Sequence, residues 1–584
     1  MKGGRRESET SEPSPRAVRL WALFPHAVFA LLWAATFRRW VLPFEDSGRE
    51  LNTAWRLAGG EALYRDVGYS YGLLAPLVDA GLLRLFGRSL DVLLAWRTAL
   101  GVCGVEALRR LASRLAADAP TASAITAFSV AACAFGIGGS WPFPYSGAAL
   151  LGMVLTWAGV ERALSSKGPR ASAAAALLAG LGAACKVEIV PGALAALALA
   201  LFARRPRREA AGACALAAGV ATLAWGLPLA RYGTALMKRQ GFLVALDVPE
   251  AWRRVYERSV VLGGLSRSEF MGGGFLEVVF PSAVFLGALF LLMRLRAARS
   301  RAMAAVLFAL AAAAGFAWPR NDELHVLLPA AIVVAATALA SGIAGLLAGR
   351  PDTAGGAAIA GAAVATAPLP AVLREPFFLR NPVYAAFAAP LALVLVLAWA
   401  SRRVPVRRAF VAAVLGLCTA QAAQRISGIG LAPLVLERLP GFKAYLLPEE
   451  ARFLTEAAAA IEMRVPPGGA VGIFPEPGTL LFVTGRRNPF VDELFLPGVQ
   501  NPAAEDEMIR RLDADPPAMI LVTNRRFPEF GGAGYGTGVL DRFFAEVSRR
   551  YVLAGRIGGG ETMLRHVSAA DVLVPGPAPA GPPR

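Results

Sequence analysis

Histidine is almost missing from this chain of 584 residues, with only His26, His325 and His566, none close to another. Cysteine is scarce as well. The five, Cys103, Cys133, Cys185, Cys214 and Cys418, fall within or at the ends of apolar runs and lack ligand spacing. That pattern argues against a structural zinc site and against a disulfide framework. Charge is sparse at 17%, and neither an internal repeat nor a glycine-rich nucleotide loop is visible. Acids are outnumbered, so the net charge is +18, a balance that invites nucleic acid as a partner. The placement of the cations excludes it. They gather in short clusters between apolar runs, at Arg204 to Arg208, Arg294 to Arg301 and Arg402 to Arg408. Loops on the cytoplasmic side of a membrane look like this, whereas a nucleic-acid face interleaves basic and aromatic residues.

What the chain does have is apolar length. Hydrophobic residues make up 56% of it, which points to a polytopic helical membrane protein. Spans are expected near 20–42, 90–108, 120–138, 147–163, 171–185, 189–203, 209–230, 275–293, 302–318, 324–346, 356–371, 383–400 and 409–425, thirteen in all. The first run is too long for a signal-peptide core and has no small-residue cleavage site, so it reads as a signal anchor. With residues 1–19 disordered in the cytoplasm, the basic clusters all land inside and the C-terminus lies outside. The segment Gly72 to Gly87 is apolar but short, with Asp79 and Arg84 in it, and suits a helix lying at the interface.

Composition shifts near residue 440. "EEARFLTEAAAAIE" reads as a helix, "AVGIFP" and "TLLFVTG" as strands, and "EDEMIRRLDADPP" as a helix. "AMILVTN" reads as a buried strand, "DRFFAEVSRRYVLAGRI" as a helix running into a strand, and "ETMLRHV" as the end of the sheet. This alternation predicts a small α/β domain over 440–572, followed by a Pro-rich disordered tail at 573–584. The helical part covers 20–430, with a first outer loop at 43–89.

That loop opens "PFEDSGRELNTAWRLAGG". Leu51, Trp55 and Ala58 have helical spacing, and Gly59-Gly60 is a natural stop. Asp46 then sits at the start of an amphipathic helix, where its carboxylate can take a proton from a hydroxyl. An N-cap with a solvated Glu45 beside it is the plainer reading. Other outward loops carry costly ionisable groups next to hydrocarbon. "SWPFPYS" holds Tyr145, "CKVEIV" holds Lys186 and Glu188, and "WPRNDELH" holds Arg320, Asp322 and His325. Lys186 and Arg320 suit a phosphate, with Glu188 or Asp322 orienting them. In the C-terminal part, Arg486 and Arg487 stand in a turn where they either meet acceptor glycan or headgroups or are merely solvated.

The outer-loop acid, "LAGGEALYRDVGYSYG", "PLVDAGLLRLFG", the Pro-Phe-Pro-Tyr turn, the Lys-x-Glu turn and the Arg-x-Asp-x-x-His turn come in that order over the whole chain. Together they resemble the polyprenyl-phosphate-dependent glycosyltransferases of the GT-C superfamily. The likeness is to the bacterial branch of lipopolysaccharide aminoarabinose and galacturonic acid transferases and, more distantly, to protein O-mannosyltransferases. The resemblance implies an all-α polytopic membrane domain of GT-C type with a small α/β extracytoplasmic domain, in a bacterial inner membrane. It implies inverting transfer of a monosaccharide from a polyprenyl phosphate to an envelope glycan or lipid, with membrane lipids as surroundings and no nucleic acid. Asp46 matches the family's base, and Glu45 is the other choice because the acid order is inverted relative to some members. Tyr64, Lys186, Arg320 and His325 fall at donor-lipid positions, and Arg49, Tyr145, Glu188 and Asp322 complete the substrate-binding set. The interfacial helix departs from the family's Pro-Pro-Leu with Ala75-Pro76-Leu77. A divalent cation between Asp46 and a phosphate stays open, and two outer basic residues neutralising the leaving phosphate without one is the alternative. A transporter or flippase, and a non-catalytic envelope-assembly protein of the same fold, are the rival classes.

Overall fold

The computed structural model describes residues 14–44, 46–135, 146–239, 382–402, 407–495, 502–525, 534–559 and 567–577, with isolated positions between 309 and 344. The first helix, α1 (Pro15–Thr36), starts behind Ser14, whose hydroxyl accepts from the Ala17 N–H. It stops short of the apolar run's end at 42. Arg38 takes a φ of 62°, and its guanidinium holds Asp91 through two hydrogen bonds of 2.9 and 2.7 Å. Then come α2 (Asp46–Ala58), α3 (Leu74–Phe86), α4 (Leu90–Leu115), α5 (Ala119–Cys133), α6 (Gly147–Ser165) and α7 (Pro169–Ala183). A short 3₁₀ turn, Val187–Ile189, leads into α8 (Val190–Phe202). They are followed by α9 (Arg207–Arg239), broken at Gly233, and by α10 (Pro382–Ser401) and α11 (Arg407–Arg425). Side-chain caps fix several starts: Ser89 accepts from Asp91 N–H, Asp118 from Thr121 N–H and Ser146 from Ala149 N–H. Each cap satisfies an N–H that the helix itself leaves orphaned.

The centre of the helical part is α5. Every residue from Thr121 to Cys133 is buried, and α1, α4, α10 and α11 surround it. A helix of small and apolar residues, whose Thr126 and Ser129 hydroxyls bond back to the Ala122 and Ile125 carbonyls, needs no water-facing side and belongs inside a bundle. Between α6 and α7 small residues set the spacing: a Cβ on Gly159 would lie 2.9 Å from the Ala179 nitrogen. Such glycines let two backbones approach closely.

Among the described residues four helices are long and apolar enough to cross a membrane: Pro15–Thr36, Gly147–Ser165, Arg207–Thr234 and Arg407–Gly430. The expected spans 275–293 and 356–371 lie outside the described residues, and 302–318 and 324–346 almost wholly so.

The C-terminal part begins with a hairpin, β1 (Val435–Leu439) and β2 (Phe442–Leu446), followed by α12 (Pro448–Arg464). Next are β3 (Val471–Phe474), α13 (Gly478–Thr484), α14 (Pro502–Ala514) and β4 (Met519–Thr523). A two-residue pairing, β5 (Gly534–Tyr535) with β6 (Gly538–Val539), precedes α15 (Asp541–Arg550), β7 (Tyr551–Gly558) and β8 (Ala569–Pro575). The main sheet runs β3-β4-β8-β7, with β3 and β4 parallel and the other pairs antiparallel. Two readings need correction. "TLLFVTG" is helical, not a strand: α13 closes on Gly485 in the left-handed conformation, and its whole length is buried. The last strand runs to Pro575, into the stretch expected to be tail, because residues 572–575 pair with β7.

The two parts share a core. Phe44, Leu51 and Ala54 around α2, and Leu90, Leu93 and Leu94 of α4, pack with Phe453, Leu454, Leu480 and Leu481. The α/β domain is therefore seated on the first loop and not tethered beside it.

Candidate functional site

Helix α2 is gripped at its first turn. The Thr479 hydroxyl donates to the Pro43 carbonyl at 2.5 Å, and Arg525 donates to the Phe44 carbonyl while pairing with Glu476. A Cβ on Gly478 would lie 2.2 Å from the carbonyl carbon of Gly48. Only glycine permits that approach, so α13 and α2 meet backbone to backbone. Asp46 is the first residue of α2 and is described by its backbone alone. Glu45, Tyr145, Arg320, Asp322 and His325 lie outside the described residues.

One turn further along, α2 presents Arg49 and Glu50. Arg49 stands 5.9 Å from the centre of the Tyr71 ring, and the Lys186 ammonium stands 5.1 Å from the same ring. Lys186 is buried and pairs with Glu188 at 3.4 Å. The chain brings these groups together by a tight junction: Gly72 N–H donates to the Cys185 carbonyl at 3.0 Å, and a Cβ on Gly72 would lie 1.9 Å from the Ala184 oxygen. The loop after α2 can therefore lie flat against the turn after α7, which delivers Tyr71 beside Lys186.

Tyr64 lies in the same loop. It has a φ of 71° and is buried, and its hydroxyl donates to the Tyr71 carbonyl at 2.7 Å. Burial first, then Tyr232, raises its phenol well above the ordinary value, so it remains a donor. It thereby ties its own backbone turn to Tyr71.

A second layer supports this one. Asp79 of α3 accepts from Arg97 of α4 at 2.5 Å, and Arg97 lies 3.7 Å from Glu50. Glu50 also accepts from Tyr69 at 3.4 Å and from the Gly147 N–H at 3.3 Å. Burial, followed by Glu50, raises the Tyr69 phenol, which keeps it protonated and donating. These acids and Arg97 are buried, and such groups persist in low dielectric only as a bonded set. Arg97 lies inside an apolar run, where an arginine demands a partner.

A third set joins loop and domain. Glu493, 2% exposed, pairs with Arg56 and accepts from Asn52 at 2.8 Å and from Asn488 at 3.2 Å. Arg56 also bonds Glu61 at 2.6 Å and donates to the carbonyls of Asp66 and Phe490. Gly68 N–H donates to the Val491 carbonyl at 2.8 Å. The other arginines singled out in the domain are engaged within it. Arg486 donates to the carbonyls of Val465 and Thr484, and Arg487 pairs with Asp515. Among the described residues no group of three or more His, Cys, Asp or Glu clusters in a way that could hold a metal ion.

No family model matches the chain, and no curated protein does. Among solved structures it is similar to the arabinofuranosyltransferase AftD from Mycobacteria, seen by single-particle cryo-EM. The two share 14% identity and a TM-score of 0.44, over 95% of this chain and 41% of that one. The chain thus spans about two-fifths of that protein's length. At this identity and TM-score the likeness assigns no role to any residue.

Proposed function

We propose that this protein is a membrane glycosyltransferase that moves a monosaccharide from a polyprenyl phosphate to a cell-envelope glycan or lipid on the outer face of a bacterial inner membrane. The observation that carries the reading is the convergence of Arg49 and Lys186 on Tyr71, one turn along the helix that Asp46 opens. Two cations beside one aromatic wall form a seat for the donor's phosphodiester, which gains a second negative charge as the sugar departs, and Arg presents a fork suited to its oxygens.

In the transfer, the acceptor oxygen attacks the anomeric carbon from the face opposite the phosphate. The carbon–oxygen bond to phosphate breaks, and its electron pair leaves on the phosphate oxygen. Asp46 takes the acceptor's proton, and the configuration inverts. Arg49 and Lys186 stabilise the charge that develops on the departing phosphate, the usual way a preorganised site lowers such a barrier. Tyr64 and Glu188 act as positioning residues: Tyr64 holds the Tyr71 backbone, and Glu188 fixes the Lys186 ammonium. The thirteen-span topology, with the α/β domain outside, belongs to the same proposal.

The test is sugar transfer by purified protein from polyprenyl-phosphate sugars to envelope extracts, wild type beside Asp46→Asn. Loss of transfer with the melting temperature unchanged supports Asp46 as the base. Transfer retained in the variant moves the base to Glu45 or beyond.

A further inference from the structure

Helix α3 turns an apolar stripe outward. Its inner side is Ala75, Pro76, Asp79, Ala80 and Leu83. Its outer side carries Leu77, Gly81, Arg84 and Leu85 at helical spacing, with Phe86 beyond them; Leu85 is 77% and Phe86 68% exposed. A continuous apolar stripe on a water-facing helix is unusual and marks a membrane or partner contact. A lone arginine within it fits an interface, where the stem lies on hydrocarbon and the head reaches the phosphates.

The stripe ends at two arginines from distant parts of the chain. The Arg88 guanidinium lies 5.4 Å from the Trp55 ring, and its Nη1 stands where a Cβ of Gly485 would be, at 2.4 Å. The next residue is Arg486, held by the carbonyls of Val465 and Thr484. Met463, at the end of α12, is 79% exposed nearby in sequence to Val465. Burial and then Arg486 lower the Arg88 pKa, with Glu462 opposing, so the two guanidinium groups repel. Among the described residues neither forms an ion pair with a carboxylate. A fold that holds two like charges together at the end of an apolar stripe lacks an anion with a hydrocarbon tail.

We propose that Arg88 and Arg486 bind the headgroup phosphate of an anionic phospholipid whose acyl chain lies along Leu77, Leu85 and Phe86. The bound lipid bridges α3 and the α/β domain. This site is separate from the transfer site and stands or falls without it.

The experiment is native mass spectrometry of the full-length protein titrated with phosphatidylglycerol or phosphatidylcholine, using wild type, the double variant Arg88→Gln/Arg486→Gln, Leu85→Glu and Arg487→Gln. Wild type is expected to retain phosphatidylglycerol preferentially. Each arginine removed weakens that retention about fivefold, as each headgroup contact contributes on the order of 1 kcal/mol. Leu85→Glu, on an exposed position that folding tolerates, also weakens it, and Arg487→Gln leaves it unchanged. Melting in phosphatidylcholine checks that the double variant is folded; if it is not, Leu85→Glu decides. Equal retention of the two lipids by wild type, or an unchanged preference in the folded double variant, overturns the proposal. So does displacement of phosphatidylglycerol by inorganic phosphate alone, which reduces the pair to a simple anion site.

Discussion

Replacing Glu493 by leucine removes the acid that joins the α/β domain to the first loop, and its cost can be worked from the contacts. Glu493 is buried and serves Arg56, Asn52 and Asn488. Breaking a buried pair by deleting one partner costs about 3–5 kcal/mol, because the other charge stays buried. Arg56 keeps Glu61, whose side chain is 31% exposed, so the low end, about 3 kcal/mol, is expected. For a unit of domain size this lowers the melting temperature by roughly 6–12 °C. Arg56→Met alone is also costly, since it strands Glu493. The double variant replaces the pair with apolar groups and recovers much of the loss, giving a coupling of about 2 kcal/mol or more. The assay is a double-mutant cycle on thermal unfolding in detergent, read by tryptophan fluorescence. Single variants costing under about 1 kcal/mol, or costs that simply add, would refute the claim that this network clasps domain to loop.

Gly478→Ala should be destabilising by about 1–3 kcal/mol, since the new Cβ meets the Gly48 backbone, which cannot step aside. Gly212→Ala, whose Cβ meets nothing within 4 Å, serves as its control in the same melt. Lys186→Gln should lower kcat/KM for the polyprenyl-phosphate donor at least about tenfold, the low end of a charged hydrogen bond's contribution, checked by steady-state transfer assays. Arg487 holds the Asp515 carboxyl below its ordinary value of 3.8 through a hydrogen bond. That stability is present above pH 3.8 and lost as pH falls through the lowered value. The gap in melting temperature between wild type and Arg487→Gln should therefore close on acidification below about pH 4.

Much of the local structure was legible because it follows from short-range chemistry. The spacing of Leu51, Trp55 and Ala58, with the Gly59-Gly60 stop behind it, announces α2. The failure at α13 has a plain cause. Six residues between Gly478 and Gly485, four of them apolar and flanked by threonines, fit a buried strand or a buried helix turn equally well, and only the tertiary fit to Gly48 decides. Lys186 and Glu188 stand out in the sequence as charges in a short turn between apolar runs. Tyr71, Glu50 and Glu493 do not, because their roles depend on partners far along the chain: Lys186 for Tyr71, Arg97 for Glu50 and Asn52 for Glu493. The bond from the Tyr64 hydroxyl to the Tyr71 carbonyl likewise depends on how the loop folds.

The central claim is that Arg49 and Lys186, gathered at Tyr71, seat the phosphate of a lipid-linked sugar donor. A cryo-EM structure of the protein with polyprenyl phosphate bound tests it most directly. The account predicts phosphate density in ion-pair contact with both Lys186 and Arg49, beside the Tyr71 ring and facing the first turn of α2. Phosphate bound away from both side chains, with Lys186 still paired to Glu188, would contradict it.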